Sequence, residues 1–130
     1  MRKAILTMLL AGLSGSAAAE WVAVGGAESD ALYADPATIR KDKAGNKVRM
    51  WSLLDLKKAG VMKGKPYMSI REQFEYDCNK QQSRLLSISA HSGKMGEGDT
   101  VDSTARPGQW GSITSGSTSG SLWKIACEKR

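Results

Sequence analysis

Alternation of apolar and polar residues predicts several short β-strands along this chain. The clearest strand runs from Tyr67 to Cys78, where every second side chain from Met68 onward is apolar except Glu72. Shorter strands are predicted at 21–24, 32–33, 48–56, 84–91 and 100–105. Because hairpin-length segments separate most of them, the pattern favours an antiparallel meander of about five to six strands.

The apolar spacing changes to a helical one only near the C-terminus. In the segment Leu122–Lys129, Leu122 and Ala126 lie one helical turn apart, as do Trp123 and Cys127, so they form one apolar side. The preceding segment, 112–121, is rich in Ser, Gly and Thr, which supply helix N-caps. One C-terminal helix is therefore predicted.

Two further segments are predicted to form a helical turn and a loop. Asp35 followed by Pro36 has the form of a cap and a first helical residue, which predicts a single helical turn. The segment Lys57–Pro66 is basic and contains glycine, which predicts a loop.

The first nineteen residues have the composition of a secretory signal peptide. Arg2 and Lys3 are followed by an apolar run and then by Ala17 and Ala19, an Ala-x-Ala exit. We expect residues 1–19 to be removed and residues 20–130 to form one domain. The exit carries no cysteine, so a lipoprotein anchor is not expected, and the product is expected in the periplasm or outside the cell.

Export makes a structural disulfide bond between the two cysteines the favoured interpretation. Cys78 and Cys127 are the only cysteines, and an oxidising compartment favours their pairing. Neither lies in a Cys-x-x-Cys motif, so a redox pair is the less favoured interpretation. The bridge would contribute about 4 kcal/mol on the chain-entropy model. It would hold the C-terminal helix against one face of the sheet, giving an α+β fold.

Charge and hydropathy exclude some classes of function. Removal of Arg2 and Lys3 lowers Lys plus Arg from 19 to 17 while Asp plus Glu stays at 13, which leaves a charge of +4. This mild excess suits anionic surfaces, but the basic residues are dispersed and no nucleic-acid-binding module is visible. Residues 20–130 contain no apolar run long enough to span a bilayer.

The titratable residues do not form a catalytic pattern. Strand alternation places Glu75 and Asp77 on the face opposite Glu72, so the three carboxylates do not converge. Glu72 is expected at a sheet margin or paired with a basic residue under the helix. His91 is the single histidine and is expected in a loop or at a strand end. No serine lies in a nucleophile motif, and no metal or cofactor is expected.

The best candidate for binding is the basic segment. Its lysines are Lys57, Lys58, Lys63 and Lys65. One interpretation is a solvated loop that protects strand edges from aggregation. The other is a cationic patch that contacts glycans, lipopolysaccharide or acidic proteins.

Several segments together resemble the surface-adhesin protein E family. They are Trp21-Val22, the segment 33–40, the segment 48–51, Glu75-Tyr76-Asp77-Cys78, the segment 84–86, the segment 95–98, Trp110 and Gly116-Ser117 ahead of Cys127. The resemblance covers nearly the whole chain after residue 19. It implies a sheet with a disulfide-fastened C-terminal helix, and adhesion without enzymatic chemistry.

The resemblance therefore predicts an exported, non-enzymatic binding module. Its expected partners are host matrix or serum proteins, or an anionic glycan. The alternative is a periplasmic structural or envelope-associated protein, which the missing lipoprotein cysteine favours.

Overall fold

Antiparallel strands form one sheet in the computed structural model, which describes residues 20–26 and 30–128. The predicted signal peptide, residues 1–19, lies outside the described residues. The elements are β1 (Val22–Gly26), β2 (Asp30–Lys41), β3 (Lys47–Met62), β4 (Lys65–Asp77), β5 (Gln82–His91), β6 (Thr100–Thr104), β7 (Gly111–Ser112) and the helix α1 (Thr118–Glu128). A 3-10 turn lies at Lys94–Gly96. In this part of the chain, no helix is long and apolar enough to cross a membrane.

The strands follow one another across the sheet in chain order, β1 to β6, and β7 pairs with the other end of β5. This confirms the predicted antiparallel meander. The sheet has two faces because side chains alternate along each strand. The helix face carries Val48 and Met50 of β3 opposite Tyr76 and Phe74 of β4. The open face carries the alternate residues of β3, β4 and β5, such as Leu53 of β3 opposite Arg71 of β4.

The helix α1 covers one end of the helix face. Leu122 and Ala126 are buried in the same core cluster as Met50 and Tyr76. The helix begins after Ser117, whose Oγ accepts the backbone N–H of residue 120 at 3.0 Å, as an N-cap does. The predicted helix and its apolar side are confirmed.

A disulfide and a hydrogen bond fasten α1 to the end of β4. Cys78 and Cys127 are bonded, with 5.6 Å between their Cα atoms and a sequence separation of 49. Beside the bridge, Trp123 donates its indole N–H to the backbone oxygen of Asp77 at 3.0 Å. The predicted pairing is confirmed, and it connects the helix to the strand with the clearest alternation.

Two bulges of four residues interrupt the pairing of β3 with its neighbours, one in β2 and one in β3 itself. Residues 36–39 of β2 lie opposite the single residue Met50, and residues 56–59 of β3 lie opposite Met68. The first bulge is the segment expected to form a helical turn, and that expectation is wrong. Asp35 instead accepts the N–H of Ala37, and Thr38 accepts the N–H of Trp51. Pro36 is tolerated there because a bulge does not need its missing N–H.

The segment after β5 covers the opposite end of the open face. Ser69 donates its hydroxyl to the backbone oxygen of Gly93 and accepts the N–H of Gly96. Asp55 accepts the N–H of Met95 at 2.8 Å. These polar contacts hold the 3-10 turn over Leu53, which is completely buried although it lies on the open face.

Candidate functional site

The four candidate lysines lie on a β-hairpin rather than in the loop predicted from the sequence. β3 and β4 continue through the basic segment and pair up to Met62 and Lys65. Lys63 and Gly64 form the two-residue connection, both with positive φ, at 53° and 76°. A two-residue connection with positive φ matches the twist of the flanking strands. Gly64 favours it because glycine adopts positive φ without steric cost.

The hairpin brings the four lysines to one end of the sheet. Lys63 lies in the connection and Lys65 directly follows it, whereas Lys57 and Lys58 lie in the bulge of β3. The bulge is three residue pairs from the connection, a distance of roughly 10 Å. All four side chains are exposed, and so is Val61 between them, at 71%.

One lysine of the hairpin contacts another strand. The ammonium of Lys63 lies 3.2 Å from the carboxylate of Asp102 on β6, and the Lys63 side chain is 70% exposed. Such an exposed ion pair contributes little stability, so Lys63 remains free to exchange Asp102 for an acidic partner. Beneath it, a cavity of about 240 Å³ is lined by Met62, Ile70 and Ile88 among others. The tip thus combines positive charge with an apolar pocket.

The carboxylates of β4 do not converge, as the alternation predicted. Glu75 lies on the open face and pairs with Arg84 at 2.7 Å. Asp77 accepts the N–H groups of Asn79 and Lys80, at 3.0 and 3.1 Å, and so caps the turn after β4. The carboxylates of Glu75 and Asp77 therefore each have a structural role, one in an ion pair and the other in a turn.

Glu72 departs from both sequence expectations. It lies mid-sheet between Ser52 and Ile88, so it is not at a margin. None of the described basic side chains pairs with its carboxylate. Burial raises the pKa of Glu72 above its usual value. Four residues along β4 on the same face, the buried hydroxyl of Tyr76 has no hydrogen-bond partner among the described residues. Burial together with the charge of Glu72 raises the pKa of Tyr76.

His91 is the last residue of β5, a strand end as expected. It is 6% exposed and its Nε2 lies 2.7 Å from the hydroxyl of Ser89. Burial, and then the positive charge of Arg71, lower the pKa of His91. Glu75 is six residues along β4 from the residue paired with His91, roughly 20 Å away, so the two cannot form a catalytic pair. Residues 20–26 and 30–128 contain no group of three potential metal ligands.

Two arginines on the open face stack on tryptophans, an arrangement that the sequence interpretation missed. The guanidinium carbon of Arg71 lies 4.7 Å from the ring centroid of Trp51, and that of Arg84 lies 4.9 Å from the ring of Trp110. Arg84 also has its carboxylate partner, Glu75. Strand alternation places Trp51 with Arg49 and Leu53 on one side of β3, and it places Arg71 on the polar side of β4. Their contact depends on the register between the two strands.

Comparisons with known proteins agree with this architecture. The model of the family described as Surface-adhesin protein E matches residues 21–128. A structure of Haemophilus influenzae protein E is 17% identical over 75% of this chain and 76% of that chain, with a TM-score of 0.64. A second crystal form is 14% identical over 86% of this chain and 97% of that chain, also with a TM-score of 0.64. At these identities the likeness shows a shared fold. No curated protein matches the sequence significantly.

Proposed function

Because the chain belongs to the surface-adhesin protein E family, we propose that it is an exported, non-enzymatic adhesin that binds a host matrix or serum protein through its lysine hairpin. We define the lysine hairpin as residues 57–67. The observation that carries the proposal is that Lys57, Lys58, Lys63 and Lys65 are all exposed within one hairpin at one end of the sheet. Acidic patches on a partner protein would complement it.

The tip has features beyond charge that suit a protein partner. Val61 and the apolar wall of the neighbouring cavity offer apolar contact area next to the lysines. Protein interfaces combine an apolar centre with a polar rim, which charge alone does not supply. Positive charge at the rim chiefly speeds encounter with an acidic surface and makes binding sensitive to salt.

The experiment is a binding array of immobilised matrix and serum proteins at physiological salt. Changing Lys57, Lys58, Lys63 and Lys65 to Glu should abolish binding to any protein that the wild type captures. A matched control makes the same charge change at the opposite end of the sheet and on α1, with Lys41, Lys43, Lys80 and Lys124 changed to Glu. Equal losses in the two variants would show that net charge, and not the hairpin, drives binding.

Fractionation of the native host tests the location that adhesion requires. Protease digestion of intact cells should remove the protein if it is displayed on the surface. Release by osmotic shock alone would instead support the alternative, an envelope-associated protein of the periplasm. The residues that favour this alternative are Ala17 and Ala19, which are followed by Glu20 rather than by a cysteine.

A further inference from the structure

Arg71 has no counterion among the described residues, although it is partly buried. Its Nε is shielded from solvent and has no hydrogen-bond partner, and none of the described carboxylates forms an ion pair with its guanidinium. A shielded N–H group that lacks a hydrogen-bond partner carries a desolvation cost. Arg84, on the same face, illustrates the usual solution with its ion pair to Glu75.

The position of Arg71 is held from both sides. Its guanidinium stacks on Trp51, at 4.7 Å from the ring centroid. Its aliphatic stem lies against Gly96 of the 3-10 turn, where an added Cβ would come within 3.1 Å of the Arg71 Cδ. Gly96 also has a φ of 76°, which favours glycine. Stacking and the close backbone leave the guanidinium preorganised, with less rotamer freedom to lose when it binds an anion.

The surrounding open face is positive and carries aromatic rings. Over residues 49–53, 71–75 and 84–89, its charged side chains are Arg49, Arg71, Glu75 and Arg84. The two stacked arginines are separated by four residues of β4, roughly 13 Å. Only an extended ligand reaches both. The excess of two positive charges is far smaller than the phosphate-neutralising arrays of nucleic-acid sites.

We infer that the open face binds a sulfated glycan chain, with a sulfate group held by Arg71 beside Trp51. The guanidinium fork matches the oxygens of a sulfate, as it does those of carboxylates and phosphates. The hydroxyl of Ser89, directly across from Arg71 on β5, lies within the same site. The half-buried rings of Trp51 and Trp110 provide flat apolar area for the sugar rings of such a chain. The inference rests on the proposed exported adhesin role, because such glycans are encountered outside the cell.

The wild-type protein alone gives the first test. A size-defined heparin hexasaccharide is titrated at physiological salt while the ring signals of His91, the single histidine, are followed by NMR. A bound sulfate offsets the charge of Arg71, so the pKa of His91 should rise on saturation. The chemically desulfated hexasaccharide should leave both signals and pKa unchanged. An unresponsive His91, or an equal response to single-stranded DNA, overturns the inference.

Variants then assign the effect to the guanidinium. Arg71→Gln should weaken hexasaccharide binding about tenfold or more, the loss typical of a charge-assisted hydrogen-bonded pair. Arg71→Lys keeps the charge but loses the planar fork and should weaken binding several-fold. Lys124→Gln, on the exposed side of α1 across the sheet, removes the same charge and should change affinity by less than about twofold. Equal affinities for Arg71→Gln and Lys124→Gln contradict the assignment.

The two sites can fail independently. The four-lysine hairpin variant should retain most of the hexasaccharide affinity, and Arg71→Gln should retain binding to any protein captured on the array. If the hairpin variant loses the hexasaccharide while Arg71→Gln keeps it, the glycan site on the open face is wrong and the lysine hairpin stands. If the wild type captures no protein but His91 responds as expected, the hairpin proposal fails and the glycan site stands.

Discussion

The two faces of this sheet are organised by different interactions. The helix face is covered at one end by α1 and packs a continuous core around Met50 and Tyr76, both at most 1% exposed. The open face has a short cover at the other end and otherwise presents arginines, tryptophans and small polar residues. We expect the helix face to supply most of the stability because of its buried apolar core, whereas the open face leaves charged and aromatic side chains partly exposed.

Geometry explains why neither cover extends over its whole face. The eleven residues of α1 span about 16 Å, whereas the thirteen residues of β4 span about 40 Å. Such a short helix buries little area, so a covalent bond to the end of β4 matters. The comparison therefore predicts that disruption of the helix face will cost stability, whereas disruption of the open face will cost binding.

The largest effect should come from removal of the disulfide. Cys127→Ser is expected to lower the free energy of unfolding by about 4 kcal/mol, because the unfolded chain regains the entropy of a 49-residue loop. Urea unfolding of the wild type and the variant measures the difference. Reductant should destabilise the wild type similarly and leave the variant unaffected. An unchanged midpoint in Cys127→Ser would show that the helix is held without the bridge.

A matched pair of substitutions on adjacent residues compares the faces directly. Met50→Ala should cost about 3 kcal/mol, because the side chain is fully buried and its loss leaves a cavity in the helix face. Arg49→Ala, exposed on the open face, should change stability by less than about 0.5 kcal/mol. Thermal unfolding of both variants provides the comparison. Similar losses would mean that the open face is packed in solution.

A substitution at Tyr76 should increase stability, in contrast to those above. Its hydroxyl is buried and has no partner within residues 20–26 and 30–128, so Tyr76→Phe should stabilise the protein by about 1 kcal/mol while the ring packing is retained. Chemical unfolding at neutral pH measures the gain. A loss of stability in this variant would reveal a hydrogen-bonded partner for the hydroxyl, such as a bound water.

The smallest effects should appear as opposite pH dependences from the two faces. Burial raises the pKa of Glu72 above 4.5 in the folded state, so the folded protein retains a proton that the unfolded chain releases. Stability should therefore fall as the pH rises from about 4.5 through the folded pKa. Glu72→Gln should be more stable than the wild type at pH 7, and the gain should vanish well below pH 4.5.

His91 supplies the contrasting case on the open face. Its pKa is lowered from 6.5 in the folded state, so stability should fall as the pH drops below about 6.5, where the unfolded chain takes up the proton first. His91→Gln should flatten that decline without altering the one caused by Glu72. Unfolding measured across pH 3–8 for both variants separates the two contributions. Identical profiles for the two variants would contradict the assignment of each slope to its residue.

Much of the fold follows from local patterns in the sequence. Alternation along β4 assigned Phe74 and Tyr76 to the core, because the side-chain period of a strand is an intrinsic property of its backbone. Helical spacing identified the apolar side of α1, and export with two cysteines predicted the bridge from Cys78 to Cys127. The strand and helix patterns depend only on residues close in sequence, and the disulfide prediction depends only on export to an oxidising compartment.

The candidate sites depended on relations between strands, which sequence spacing does not encode. The bulge at 56–59 and the positive φ of Lys63 and Gly64 turned an expected loop into a hairpin. Register between β3 and β4 placed Arg71 over Trp51, and it left Glu72 in mid-sheet with no basic partner in the part of the chain that the structure describes. The sequence by itself determined which side chains of β4 and α1 face the core, because the side-chain period of a strand or helix depends only on its own backbone. It also determined which cysteines pair, because an exported chain with two cysteines has one possible bridge. Only the tertiary structure decided which charges meet, since a bulge changes the cross-strand partner of every residue beyond it.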